Sequence, residues 1–431
     1  MIPRCSAIPI VAAGLALAAC AEPLPAPPRA SAAPSFSADK ADRNTIVVNP
    51  EANGNGTART IQEGIDRVAA GGTVKIRPGT YDETLVIAKG LTLEPIGEGS
   101  GSAVLQPSGR PQAAIEVTAT EPVVIRDLTV RHGGAEGVRG RGAVDLTLDG
   151  VSITAVSPPL GPGNLVSVTN DARVTDGRRA RFVMRNSKVD GAVTRAMTEP
   201  SPPSFPQNFG VRVIGDVTAS VVGNEVRRTG GACIFVQLRV DLGGETNADV
   251  ENNDLDECYP IGRAGAILIG SAGGPVRVGT PFSAVGVVNV VGNTIRNTTR
   301  SCFTGTGISF ESLEGRIERN TIVDVVQLCA LSQPQARNLP AGIWIGSRPP
   351  VRNLPPAAAT VRYNDIVGNA QAGLRIGSNQ TTPTDARCNW WGSADGPPAF
   401  GANRILVESG GAAPVVAPHA RKPIAATGET C

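Results

Sequence analysis

One short pattern constrains this chain more than any other feature: an apolar residue, two others, Asn, one other, then an apolar residue. It occurs at Val221/Asn224/Val226, Val250/Asn253/Leu255, Val290/Asn293/Ile295, Ile317/Asn320/Ile322 and Val361/Asn364/Ile366. Leu146/Asp149/Val151 reads as an acidic variant, and the stretch around Asn186 fits badly. From Asn224 onward the asparagines lie 29, 40, 27 and 44 residues apart. The short intervals suit one coil of a stacked repeat, and the long ones a coil plus an insertion. Each coil touches only its neighbours, so all 431 residues can serve a single stack. The flanking apolar side chains then point inward. Asn suits the corner because it tolerates left-handed backbone and bonds its own main chain. Stacked amides also form hydrogen-bonded ladders. These asparagines are therefore read as turn formers, not as catalytic groups.

A second strand follows each Asn: Val211-Arg212-Val213, Ile234-Phe235-Val236, Ile267-Leu268-Ile269, Ile308-Ser309-Phe310, Ile343-Trp344-Ile345 and Leu374-Arg375-Ile376. Period-two alternation puts the outer members of each triplet inside and stacks the middle ones outside, along the rod. With coils about 4.8 Å apart, roughly ten to thirteen of them make a rod of about 50–60 Å.

The first folded segment carries a capping box, Thr60-Ile61-Gln62-Glu63, followed by Ile61, Ile65 and Val68 on one helical face and Gly71-Gly72 as the stop. The strand Thr73-Val74-Lys75-Ile76, a turn through Pro78-Gly79, and the short strands Leu85-Val86-Ile87 and Leu91-Thr92-Leu93 come next. This run resembles the opening of pectin-lyase-like β-helices, in which the helix plugs the end of the stack. Near the other end, Cys388-Asn389-Trp390-Trp391-Gly392 and the following Gly396-Pro397 resemble the stretch that closes many bacterial β-helix-repeat proteins. Trp390 and Trp391 are read as covers for the open end, where bare strand edges would aggregate, in preference to sugar-stacking rings. The resemblances imply an all-β fold: a single-stranded right-handed parallel β-helix with a short N-terminal capping helix.

Residues 1–20 start with Arg4 and an apolar run too short to span a bilayer, and end in Leu17-Ala18-Ala19-Cys20. That ending resembles the lipobox of bacterial lipoproteins, which implies cleavage before Cys20, lipid on Cys20, and export. Ala21 in place of Asp leans towards the outer membrane. The expected organisation is a signal peptide at 1–19, a Pro/Ala/Ser-rich tether at 20–44, the β-helix at 45–410 and a tail at 411–431. Loss of Arg4 with the signal leaves 39 basic against 38 acidic groups, a balance with no electrostatic footprint for nucleic acid. Six cysteines then remain, an even set that favours disulfides in an exported protein. Cys233, Cys302 and Cys329 each lie nine residues after their coil's Asn, and the last two belong to adjacent coils. Rung spacing matches disulfide geometry, so Cys302–Cys329 is expected, with Cys233–Cys258 next and Cys388–Cys431 by elimination.

Function is expected on the outer face of the triplet strands. Long insertions at 198–208, 240–248, 271–283, 333–340 and 347–357 recur beside it and would wall a groove. An extended polymer, read as polysaccharide, would meet Phe235 and Trp344 by ring stacking and Arg212 and Arg375 by charge or hydrogen bonds. The competing reading is that the loops fold down and bury the apolar side chains. Asp254, Asp256 and Glu257, with Arg263 nearby, form the densest acidic run and would suit calcium; no other cofactor is required. The paired motifs of galacturonan hydrolases and pectin esterases are missing. Arg131-His132-Gly133 reads as a surface histidine. A lyase or epimerase, and a purely architectural or adhesin-like envelope protein, are the alternative roles.

Overall fold

A computed structural model of the protein describes residues 44–51, 56–97, 103–109, 111–156, 162–194, 207–238, 244–260, 265–271, 286–300, 305–311, 313–327, 340–346, 356–369, 371–428 and 431. Cys20, Cys302, Cys329 and Arg263 lie outside these, as do most residues of the expected groove loops, although 244–248 are described and Thr246–Glu251 is a strand of the first sheet. Three long sheets of 12, 10 and 11 strands dominate the described chain, and their ladders are parallel throughout. The chain visits them in turn. Asp145–Asp149 lies in the first sheet, Ser152–Ala155 in the second and Pro162–Asn170 in the third, and Ala180–Arg185 returns to the first, one rung on. With right-handed connections, the rule for parallel crossovers, this is a right-handed parallel β-helix. Alternating Val, Ile and Leu from all three sheets fill one continuous interior.

The corner between the first and second sheets holds the asparagine ladder. Asn224, Asn253, Asn293, Asn320, Asn364 and Asn389 are all buried. Each backbone N–H and side-chain amide in the first five donates to the next Asn Oδ1 at 2.9–3.0 Å. Each amide also donates to an apolar residue's carbonyl in the preceding coil, as Asn293 does to Val250 at 2.8 Å. A buried amide is affordable only when its donors and acceptors are met, and the stack meets them coil by coil.

Two details differ from the sequence reading. The left-handed residue is the one before each Asn: Gly223, Asn252, Gly292, Arg319, Tyr363 and Cys388, with φ between 54° and 69°. The Asn side chain is thereby turned inward. The ladder also begins one coil earlier than the pattern suggests, because Ser187 N donates to Asn224 Oδ1 at 3.0 Å. Asp149 does not share this column. It is in register with Arg185 and pairs with it at 2.8 Å, while Val151 occupies the corner.

Helix Ile61–Arg67 packs at the opening coil. Thr60 Oγ1 accepts from Glu63 N at 3.0 Å, and the return arm reaches Arg59 N, so that this backbone donor and Arg67 hold the Glu63 carboxyl below its ordinary range. Glu83 accepts the Ile61 and Gln62 amides at 2.8 and 2.9 Å, satisfying two more first-turn donors. A side chain on Gly64 would press on Val74 at 3.0 Å, which is why the helix can lie so close to the sheet.

At the far end, Asn389 closes the ladder and Trp391 is buried against Gly373. The second ring of the Trp pair is thus part of the interior, and Trp390 is half-buried. The chain beyond 411 packs back on the stack. Asp365 accepts the Ile424 and Ala425 amides, and a disulfide joins Cys388 to Cys431. A second disulfide, Cys233–Cys258, ties neighbouring coils with a Cα separation of 5.5 Å.

Candidate functional site

The triplet centres form one uninterrupted column on the outer face of the third sheet. Ser167 is in register with Arg212, Arg212 with Phe235, Phe235 with Leu268, Leu268 with Ser309, Ser309 with Trp344, and Trp344 with Arg375. Upstream the column continues through Arg139, Glu116 and Val86.

Register, however, does not make the whole column available. Trp344 and Arg375 are each 1% exposed, and Ser309 is buried with them. The Arg375 guanidinium lies 4.2 Å from the Trp344 ring centroid, and Glu408 accepts from it at 2.5 and 2.9 Å. A cation stacked on an indole and neutralised by a carboxylate has its charge compensated inside the protein. Trp344 and Arg375 therefore do not form the open groove floor expected of them. Phe235, at 8%, is nearly covered as well.

The upstream half of the column is different in kind. Three residues before its members, a second outward set stands in register: Glu136 with Asn164, and Asn164 with Phe209. Between the two sets the strand turns a corner at Gly137, Leu165 and Gly210; a side chain at Gly137 or Gly210 would strike the next coil's carbonyl oxygen at 2.6 or 2.4 Å. The corner makes the two sets face one another. Glu136 Oε1 accepts from Asn164 Nδ2 at 2.6 Å and from Ser167 Oγ at 3.1 Å. Arg139 bridges to Glu116 at 3.0 Å and lies 3.4 Å from Glu136. The Arg212 guanidinium sits over both Phe209 and Phe235, at 5.4 and 5.5 Å, and the two rings are 5.4 Å apart. Downstream, the equivalent of the Glu136 position is Gly265, Thr306, Ala341 and Ala372, so the second column ends after Phe209.

Of the expected ligand residues, only Arg212 and Phe235 belong to this patch. Glu116, Glu136, Arg139, Asn164, Ser167 and Phe209 escaped the sequence reading. Their signal is a three-residue spacing, Glu136/Arg139, Asn164/Ser167 and Phe209/Arg212, which violates strand alternation because of the corner.

The other candidates are differently occupied. Asp254 and Asp256 share Arg296, at 2.6 and 3.5 Å, and Asn297 donates to Asp256. Glu257 has left-handed backbone, φ 51°, and accepts from Tyr259. These three carboxylates do not converge, and among the described residues no three Asp, Glu, His or Cys side chains do. The run does not fit the calcium cage expected of it, because a guanidinium already supplies the countercharge. His132 is not a surface residue either: it is 2% exposed, and burial pushes its imidazole down to about 4.

No family model matches the chain, and no curated protein does. Solved structures do. The A-module of the Azotobacter vinelandii mannuronan C-5 epimerase AlgE4 is 14% identical over 83% of this chain and 94% of its own, with a TM-score of 0.45. The Dettilon tailspike protein is 14% identical over 84% and 68%, at 0.43. Pectate lyase Pel9A is 12% identical over 88% and 78%, at 0.32. The chain is a right-handed parallel β-helix, and its likeness to these structures extends to the fold alone.

Proposed function

We propose that this protein is an exported, lipid-anchored β-helix that binds an extended glycan on the outer face of its third sheet, at the patch running from Glu116 through Glu136, Arg139 and Arg212 to Phe209, with Asn164, Ser167 and Phe235 packed among them. One observation carries the reading. Two facing columns present carboxylate, amide, hydroxyl, guanidinium and aromatic faces at successive rungs. Polar groups that fix orientation beside rings that supply contact area are what a sugar-binding surface needs. The columns run along the rod axis, so an extended polymer can engage several rungs at once. Lipid on Cys20 would tether the rod to the outer membrane. No described helix is long and apolar enough to cross a membrane.

A glycan array probed with the mature protein and with Phe209→Ala and Arg212→Ala tests the binding. Signals lost in both folded variants support the face, and signals unchanged in both refute it. For the anchor, Cys20→Ser should move the protein from the membrane to the soluble fraction of the expressing cells.

A further inference from the structure

The two edges of the third sheet are finished differently. Its upstream edge is the strand Leu85–Ile87. Val86 N–H donates to Gln62 Oε1 at 2.8 Å, and Gln62 Nε2 donates to the Val86 carbonyl at 3.2 Å, so a side-chain amide fills the place of a further strand. The downstream edge is Ile405–Val407, paired on one side only, with Ala372–Ile376. Towards that neighbour the Arg404 carbonyl accepts from Gly373 at 2.9 Å and Glu408 N–H donates to Ile376 at 3.0 Å. Ile405 and Val407 therefore turn their N–H and C=O groups to the open side, where no described residue bonds to them. Residues 404 to 408 are all half-buried, and Ile405, Val407 and Val416 pack on the interior without being sealed. The other two sheets end otherwise. Pro414 flanks the terminal bridge of the first sheet at Val415. Helix Ile424–Thr427, entered from Pro423, closes the second sheet over Asp365. Proline blunts an edge, whereas an unpaired apolar strand is a template for another.

We propose that this edge docks a second copy of the chain, strand against strand, across a two-fold axis at Leu406. The sequence Arg404-Ile405-Leu406-Val407-Glu408 suits antiparallel pairing with itself. Ile405 meets the partner's Val407, and Val407 the partner's Ile405. Each such pair exchanges both of its backbone hydrogen bonds and adds apolar side chains to the ends of the two interiors. Leu406, in register with Arg375 on the outer face, meets the partner's Leu406. Arg404 stands opposite the partner's Glu408, an attraction that parallel pairing loses. Glu408 already accepts from Arg375, but one carboxylate can hold two guanidiniums, as Asp385 does with Arg362 and Arg387. Because Gln62 closes the opposite edge of the sheet, association stops at a closed dimer.

Sedimentation velocity over a concentration series tests this on the mature chain carrying Cys20→Ser, which removes the lipid. A reversible monomer–dimer equilibrium is expected. A monomer at every attainable concentration, or open-ended growth, overturns the proposal. Leu406→Lys and Leu406→Glu each set like charges against one another across the axis and should weaken association at least about a hundredfold, while their equimolar mixture recovers the dimer. Variants that dimerise as the parent does refute the edge, and a mixture that stays monomeric refutes the two-fold. Should either variant fail to fold, as judged by thermal melting, Leu406→Cys gives a second reading. Residues facing each other in a non-hydrogen-bonded antiparallel pair lie within reach of a disulfide. Mild oxidation should therefore link Leu406→Cys into a covalent dimer and leave Val86→Cys, at the closed edge, unlinked. Failure of Leu406→Cys to link counts against the pairing.

Discussion

The two ends of the outer column on the third sheet share sheet, register and spacing, yet have opposite fates. Upstream, Glu116, Arg139 and Arg212 keep part of their surface and face a second row of polar and aromatic side chains. Downstream, Ser309, Trp344 and Arg375 are sealed, and the second row has shrunk to Thr306, Ala341 and Ala372. The difference teaches that strand alternation decides only which side of the coil wall a residue occupies. Whether the outer side is a surface depends on what the neighbouring positions place beside it.

The contrast is open to direct attack. Trp344→Ala should do the most damage to stability, about 3–5 kcal/mol, because it empties a buried site and strips Arg375 of its ring. Chemical denaturation would measure this, and glycan binding by the remaining folded protein should not change.

Acid should weaken the upstream half. His132 is buried at the end of the second-sheet strand that precedes Glu136–Arg141 in the same coil, and its imidazole falls from an ordinary 6.5 to about 4 because burial disfavours the cation. The folded state thus refuses a proton that the unfolded chain accepts. Stability is complete above pH 6.5 and declines as pH falls towards 4, by as much as about 3 kcal/mol. His132→Leu should flatten that slope in melts across this pH range.

The ladder comes next. Asn293→Ala deprives the Asn253 N–H and amide of their acceptor and should cost at least about 2 kcal/mol. Arg212→Ala should sharpen the comparison from the other side. Its loss should change stability by no more than about 1 kcal/mol while weakening glycan binding about tenfold.

Much of the architecture was legible in the residues because burial leaves a periodic mark. The corner asparagines stand at coil intervals because a buried amide has few replacements once its neighbours above and below bond to it. The triplet strands alternate because their ends fill the interior. Misreadings arose where the mark is ambiguous. Asp149 mimics the corner Asn in spacing but sits in a solvent-facing row with Arg185. Ser187 takes the corner with a hydroxyl, which a search for asparagine passes over.

The candidate site was largely hidden. Glu136, Asn164 and Phe209 face outward only because the strand turns at Gly137, Leu165 and Gly210, and such a corner has no period. Burial of Trp344 and Phe235 was one of the two readings the sequence left open, but that of Arg375 was not, since Arg serves a ligand face as readily as an interior stack. Only the pairing with Glu408, 33 residues on, distinguishes the two.

The central claim is that ligand contact is confined to the upstream half of the column. Hydrogen-exchange protection of backbone amides, compared with and without the best glycan from the array, tests it most directly. New protection is expected in Glu136–Arg141, Pro162–Asn170 and Gln207–Gly215, with none in Ala341–Ile345 or Ala372–Ile376. Protection confined to the two downstream strands would contradict it.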